Sequence, residues 1–170
     1  MVYPPELLDR LQAIAPAPWA GQAFRHMFRD YPPDAENTRG ARWNPAGVAA
    51  IYTSLAHEGV VAEAEHQIAV QPIRPRARRT IYTLELTLAS VLDLTDPDLL
   101  QHLGVGAAEL AADDMTACSE VGGATHWLEH DGLLVPSARS SHTNLVIFPA
   151  NRSPDARFEI LDAKILEQPT

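Results

Sequence analysis

Residues 39–66 read R-G-A-R-W-N-P-A-G-V-A-A-I-Y-T-S-L-A-H-E-G-V-V-A-E-A-E-H. The stretch holds a Trp-Asn-Pro-x-x-Gly turn, a short apolar strand over Ala49–Thr53, and a segment with helical spacing. Ser54 is placed to cap that helix, with Glu58 near its first turn. Val60, Val61, Ala64 and Ile68 recur as a buried stripe. At about 100° per residue, Glu63 and Glu65 fall on opposite edges of the stripe. Loop, strand and helix in such quick succession predict an α+β domain. They also bring a cation, an aromatic ring and a carboxylate close together in the chain.

Outward from this block, the elements remain mixed. Pro4 and Pro5 lead into E-L-L-D-R-L-Q-A-I, a short helix with proline in its first turn, ended by Pro16 and Pro18. Gln22 to Phe28 predicts a strand with Arg25 between aromatic residues, and Tyr31 to Gly40 a polar loop. Thr80 to Leu88 (T-I-Y-T-L-E-L-T-L) has the clearest period-two alternation. Asp96-Pro97 opens a short helix through Leu103, closed by Gly104, and Thr116 to Glu129 is a further helix weakened by Gly122-Gly123. Leu133–Val135 and Thr143–Phe148 predict two strands joined by P-S-A-R-S-S-H, and Arg157–Leu161 a last one. This order predicts one compact domain over residues 1–170, with a mixed, mostly antiparallel sheet, and not the regular alternation of a doubly wound fold.

Composition narrows the functional classes. A chain of 170 residues that is 46% hydrophobic is long enough to bury a core. No apolar run reaches the ~20 residues of a membrane span, and M-V-Y-P-P-E-L-L-D-R predicts no secretory leader. One cysteine, Cys118, forms no internal disulfide and suits a reducing cytoplasm. A net charge of −9 argues against direct nucleic-acid binding. The local exception is Arg74, Arg76, Arg78 and Arg79, either a solvated loop or a docking patch for an acidic partner. His126 and His130 have helical i, i+4 spacing but lack the His-Glu-x-x-His order, so no metal site is expected. Gly-x-Gly-x-x-Gly, the P-loop motif and Gly-x-Ser-x-Gly are all absent.

Four residues carry readings beyond the ordinary. Arg42 precedes Trp43; a guanidinium binds phosphate bidentately, and the indole could supply a stacking face. The ordinary alternative is a surface arginine lying on a tryptophan. Tyr52 stacks on a flat ring or is a half-buried core tyrosine. Glu63 faces a developing cation or is a solvated helix-edge glutamate. Ser137 contacts a ligand or bonds its own turn.

Together these residues resemble the RES domain family, named for its Arg, Glu and Ser. The likeness lies in G-A-R-W-N-P-A-G, in Tyr52, in A-E-A-E-H, and in the late P-S-A followed by N-L-V-I-F-P. An upstream F-R places Arg25 at the family's first arginine, so the likeness is strongest over residues 24–149. The match puts the Arg at Arg42, the Glu at Glu63 and the Ser at Ser137. Glu65 stays a rival, because only the spacing from Tyr52 and to His66 decides between the two. Ala64 departs from the longer aliphatic residue common in the family.

The resemblance implies a cytoplasmic toxin of a bacterial toxin–antitoxin pair, with a fold similar to ADP-ribosyltransferases of the diphtheria-toxin type. NAD is then a substrate, no cofactor is recycled, and the nicotinamide–ribose bond is cleaved. The ADP-ribose goes to water, to phosphate, or to a protein such as phosphoribosyl-pyrophosphate synthetase. Glu63 would stabilise the oxocarbenium-like ribose. Arg25 and Arg42 would hold the pyrophosphate, Tyr52 would stack on nicotinamide, and Ser137 would hydrogen-bond ribose or amide. The implied partner is a small helical DNA-binding antitoxin that blocks the cleft. Two other classes compete: an inactive module that only binds the antitoxin, and a hydrolase using Ser137.

Overall fold

The computed structural model describes residues 2–28, 31–70 and 78–166. In chain order these form helix α1 (Pro5–Gln12), strand β1 (Ala17–Phe28), strand β2 (Ile51–Ser54), helix α2 (His57–Val70) and strand β3 (Arg79–Asp93). Helices α3 (Pro97–His102), α4 (Ala107–Ala111) and α5 (Thr116–Trp127) follow. Strands β4 (Gly132–Pro136) and β5 (Thr143–Ile147), a 3₁₀ turn at Pro149–Asn151 and strand β6 (Arg157–Leu166) complete the chain.

The sheet order is β1-β2-β5-β4-β3-β6, and β1 also pairs with β3. Five strands thus close into a barrel-like ring, with β6 added outside on β3. All pairings are antiparallel except β3 with β4. Alternation along each strand divides the apolar residues between two sides. Leu84, Leu86, Leu88, Leu145 and Ile147 meet Ala23 and Ile51 on one side of the sheet. Leu133, Val135, Val146 and Phe148 turn to the other side, where Leu7 and Leu11 of α1 and Val121 and Ala124 of α5 cover them.

β1 and β3 are both longer than their sequence predicts, for one reason. β1 begins at Ala17 and so contains Pro18, which the sequence presents only as the end of the first helix, with the strand starting at Gln22. β3 continues past Leu88 to Asp93. Ala17 pairs with Val91 and Trp19 with Leu88, so Ala89 and Ser90 both lie opposite Pro18, a bulge where a residue without an N–H does no harm. The amides of Ala89 and Ser90 donate to the carboxylate of Asp131, each at 2.8 Å. Asp131 is itself buried. Consecutive amides of a regular strand point apart, so this shared acceptor satisfies a geometry that only the bulge creates.

The glycine pair in α5 serves close packing. A Cβ on Gly122 would strike the backbone carbonyl of Trp43, and one on Gly123 the hydroxyl of Tyr3. The missing side chains let the Trp43–Pro45 turn lie directly on the helix. Ser54 does not cap α2: it ends β2, and its hydroxyl closes a small turn with the backbone of Ala56. α4 has no counterpart among the predicted elements. Among the described residues, no helix is long and apolar enough to cross a membrane.

Candidate active site

A cavity of about 530 Å³ opens between β1, β2, α2 and the segment joining β4 to β5. Arg25, Arg42, Tyr52 and Glu63 all line it. Ser137 does not, although its neighbours Ala138 and Arg139 do.

The motif around Trp43 builds the floor through its own hydrogen bonds. The Tyr52 hydroxyl accepts from the Trp43 amide at 2.9 Å and donates to Asn44 Oδ1 at 2.6 Å. Asn44, fully buried, donates from Nδ2 to the carbonyls of Asn37 and Val48. Burial pushes the Tyr52 hydroxyl pKa up, so it stays a neutral donor. Trp43 is 2% exposed and belongs to the core under α5. It therefore offers no stacking face, which corrects the reading of Arg42-Trp43 as a cation beside a ligand platform. Tyr52 lines the cavity, as do Phe24 and Phe28.

Arg42 reaches across the loop and donates from one terminal nitrogen to the Ala112 carbonyl at 3.1 Å. Arg25 is buried and donates to the Pro33 carbonyl at 2.6 Å. Burial lowers its pKa to about 10, opposed by the nearby Asp34, so it carries its charge throughout the physiological range. Each guanidinium thus commits one donor to a backbone carbonyl, and Arg42 also bonds the Cys118 thiol.

On α2, Val60 and Ala64 pack against Ile81 and Phe24, which turns Glu63 toward the cavity and leaves Glu65 exposed. Burial raises the Glu63 pKa; the amide of Asn144, donating to Oε1 at 3.2 Å, and the charge of Arg139 pull it back. The carboxylate is desolvated yet hydrogen-bonded, the condition in which it interacts strongly with a cation.

Ser137 realises its ordinary reading. Its Oγ accepts from the amides of Arg139 (3.1 Å) and Ser140 (3.2 Å), and its own amide donates to the His142 carbonyl at 2.8 Å. Among the described residues it is bonded to no His ring, so a Ser–His nucleophile has no geometric basis here. Its visible work is to shape the turn that presents Arg139.

Several cavity residues were not singled out from sequence as parts of a site. Asn144 opens the N-L-V-I-F-P run but was given no role in a site, and Arg139 carried no motif. Arg79 was read as part of a basic loop, but it starts β3, is buried, and lies over the Phe28 ring at 3.8 Å. Arg78 is exposed, and Arg74 and Arg76 lie outside the described residues. His26, held near pKa 4 by burial and by Arg79 and Arg25, is a neutral ring in this basic surround. His126 packs edge-on to Phe148, while His130 Nδ1 lies 2.8 Å from Ser90 Oγ. Among the described residues no group of three or more His, Cys, Asp or Glu is placed to hold a metal ion.

Fold and site together define a single compact α+β domain with a barrel-like sheet and an arginine-lined cleft holding one desolvated glutamate. The chain belongs to the RES domain family, whose profile matches residues 8–165. The NAD(+) phosphorylases MbcT of Mycobacterium tuberculosis strain H37Rv and of Mycobacterium bovis are each 30% identical to it over 143 residues, covering 78% of this chain and 75% of theirs. In the crystal structure of the M. tuberculosis MbcT–MbcA toxin–antitoxin complex, one chain matches this fold with a TM-score of 0.85 at 24% identity, over 96% of this chain and 93% of that one.

Proposed function

We propose that this protein is the toxin of a toxin–antitoxin pair and cleaves the nicotinamide–ribose bond of NAD, passing ADP-ribose to phosphate. The observation that carries the proposal is Glu63, desolvated and bonded by Asn144, in one cavity with Arg25, Arg42 and Tyr52. Nicotinamide departs as a neutral base, and positive charge grows on the ribose as the bond stretches. A carboxylate already stripped of water stabilises that charge with little reorganisation. Arg25 and Arg42, with their remaining donors, hold the pyrophosphate, and Tyr52 supports the nicotinamide ring. Ser137 acts in this scheme through the turn it folds. NAD is substrate, and no recycled cofactor or metal enters the chemistry.

The relatives named NAD(+) phosphorylase support phosphate as the acceptor over water or a protein. On the same reading the fold is of the ADP-ribosyltransferase type, with a first-strand arginine and a helix-borne glutamate facing one cleft. The partner is a small helical DNA-binding antitoxin that lays a carboxylate across Arg25 and Arg42 in place of the pyrophosphate. The site of action is the cytoplasm, where NAD and the antitoxin meet.

Expression in a bacterium without the antitoxin tests this directly. The wild-type chain is expected to stop growth while cellular NAD falls, and Glu63→Gln to restore both. Equal toxicity of the two forms would sink NAD consumption as the cause.

A further inference from the structure

The cavity holds more positive charge than NAD requires. Among the described residues four guanidinium groups line it, those of Arg25, Arg42, Arg79 and Arg139, against the single carboxylate of Glu63. The pyrophosphate of NAD carries two negative charges, which Arg25 and Arg42 already match. Arg79 is fixed over Phe28 at the start of β3. Arg139 is different in kind. Its backbone is pinned by Ser137 Oγ, while the side chain is exposed at the cavity edge. The ion pairs among the described residues are those of Arg157 and Lys164 with Glu85, Glu159 and Asp162, so Arg139 keeps its donors.

We propose that Arg139, held beside Glu63 by the Ser137–His142 turn, binds the inorganic phosphate that attacks the ribose. The inference rests on the NAD-cleaving reading above and assigns the acceptor subsite within it. A guanidinium takes a phosphate through two parallel N–H···O bonds. Bound at this edge, hydrogen phosphate stands near the carbon that Glu63 stabilises, and Arg139 offsets the repulsion between the two anions. The bond from the anomeric carbon to nitrogen breaks, and its electron pair leaves with neutral nicotinamide. An oxygen lone pair of the phosphate forms the new carbon–oxygen bond, and the proton left on the phosphoryl group passes to water.

The test uses the purified full chain, with NAD and inorganic phosphate varied independently and ADP-ribose phosphate measured. Arg139→Gln is expected to raise the KM for phosphate about tenfold more than it raises the KM for NAD. Arg139→Lys is expected to fall between, since it keeps charge but loses the fork. Arg157→Gln, a distant surface change, controls for bulk charge. Equal shifts in both KM values, or none, would overturn the assignment. A second measurement is independent of turnover: thermal unfolding in increasing phosphate, at ionic strength matched with chloride. Phosphate should stabilise the wild type in a saturable way and Arg139→Gln much less; an identical response of both would also overturn it. If no nicotinamide is released under any condition, the NAD reading fails, and the unfolding titration still decides the phosphate site.

Discussion

Glu63 is a residue that folding works against. Burial raises its pKa, so the folded chain disfavours the charged form relative to the unfolded chain. The contribution of a group raised in this way is full below the ordinary glutamate range. It is lost as pH rises through the raised folded value, which leaves a net cost at neutral pH. Glutamine keeps the shape and an oxygen for Asn144 without that cost. Glu63→Gln should therefore unfold at the same or a higher temperature than the wild type at pH 7, with the gap narrowing as pH falls through the glutamate range. A marked loss of thermal stability in Glu63→Gln at pH 7 would mean that the carboxylate supports the fold. Sequence spacing alone placed Glu63 and Glu65 on the two edges of one stripe. It could not say which edge meets the cavity, because that depends on Ile81 and Phe24, which are distant in the chain.

At the scale of elements, the Trp-Asn-Pro-x-x-Gly block and α5 form one device. The turn is held by Asn44 and Tyr52 and pressed against Gly122, with no room for a Cβ. Gly122→Ala is expected to destabilise the protein by roughly 1–3 kcal/mol, since backbone must yield. At this chain length that is ~2–4 °C in Tm per kcal/mol, and it should displace Arg42 along with the turn. A Gly122→Ala protein with wild-type Tm would refute the close contact, and thermal unfolding reads it directly. From sequence the two glycines are only helix-weakening residues, since their reasons lie far away in the chain, in the turn at Trp43–Pro45 and at Tyr3. Pro18 misleads similarly. Local chemistry makes it the end of the first helix, and only the bulge opposite it, satisfied by Asp131, lets the strand pass. The helices from Pro97 and Thr116 and the strands near 133 and 143 were legible, because caps, glycines and alternation are local signals. The cavity was legible at the residues a motif marks. Asn144, Arg139 and Arg79 reach it by strand pairing and turn geometry, which no local pattern records.

For the whole molecule, the charge distribution bears on the regulation proposed above. A net charge of −9 surrounds a cavity lined, among the described residues, by four arginines, so an anionic segment is drawn to the cleft more than to the rest of the surface. On the proposed reading, an antitoxin carboxylate seated there would share its arginines with NAD. Raising NAD should compete with antitoxin in a binding titration, and the competition should depend on salt to the extent that the contact is exposed. Antitoxin affinity that is constant up to saturating NAD would place the inhibitor elsewhere. The central claim, that this cleft breaks the nicotinamide–ribose bond with Glu63 as its charge-stabilising group, is tested most directly by nicotinamide release from NAD by the purified chain in phosphate. Wild type and Glu65→Gln should release nicotinamide at similar rates, with Glu63→Gln slower by on the order of 100-fold or more; a Glu63→Gln rate equal to wild type, or a loss confined to Glu65→Gln, would contradict the account.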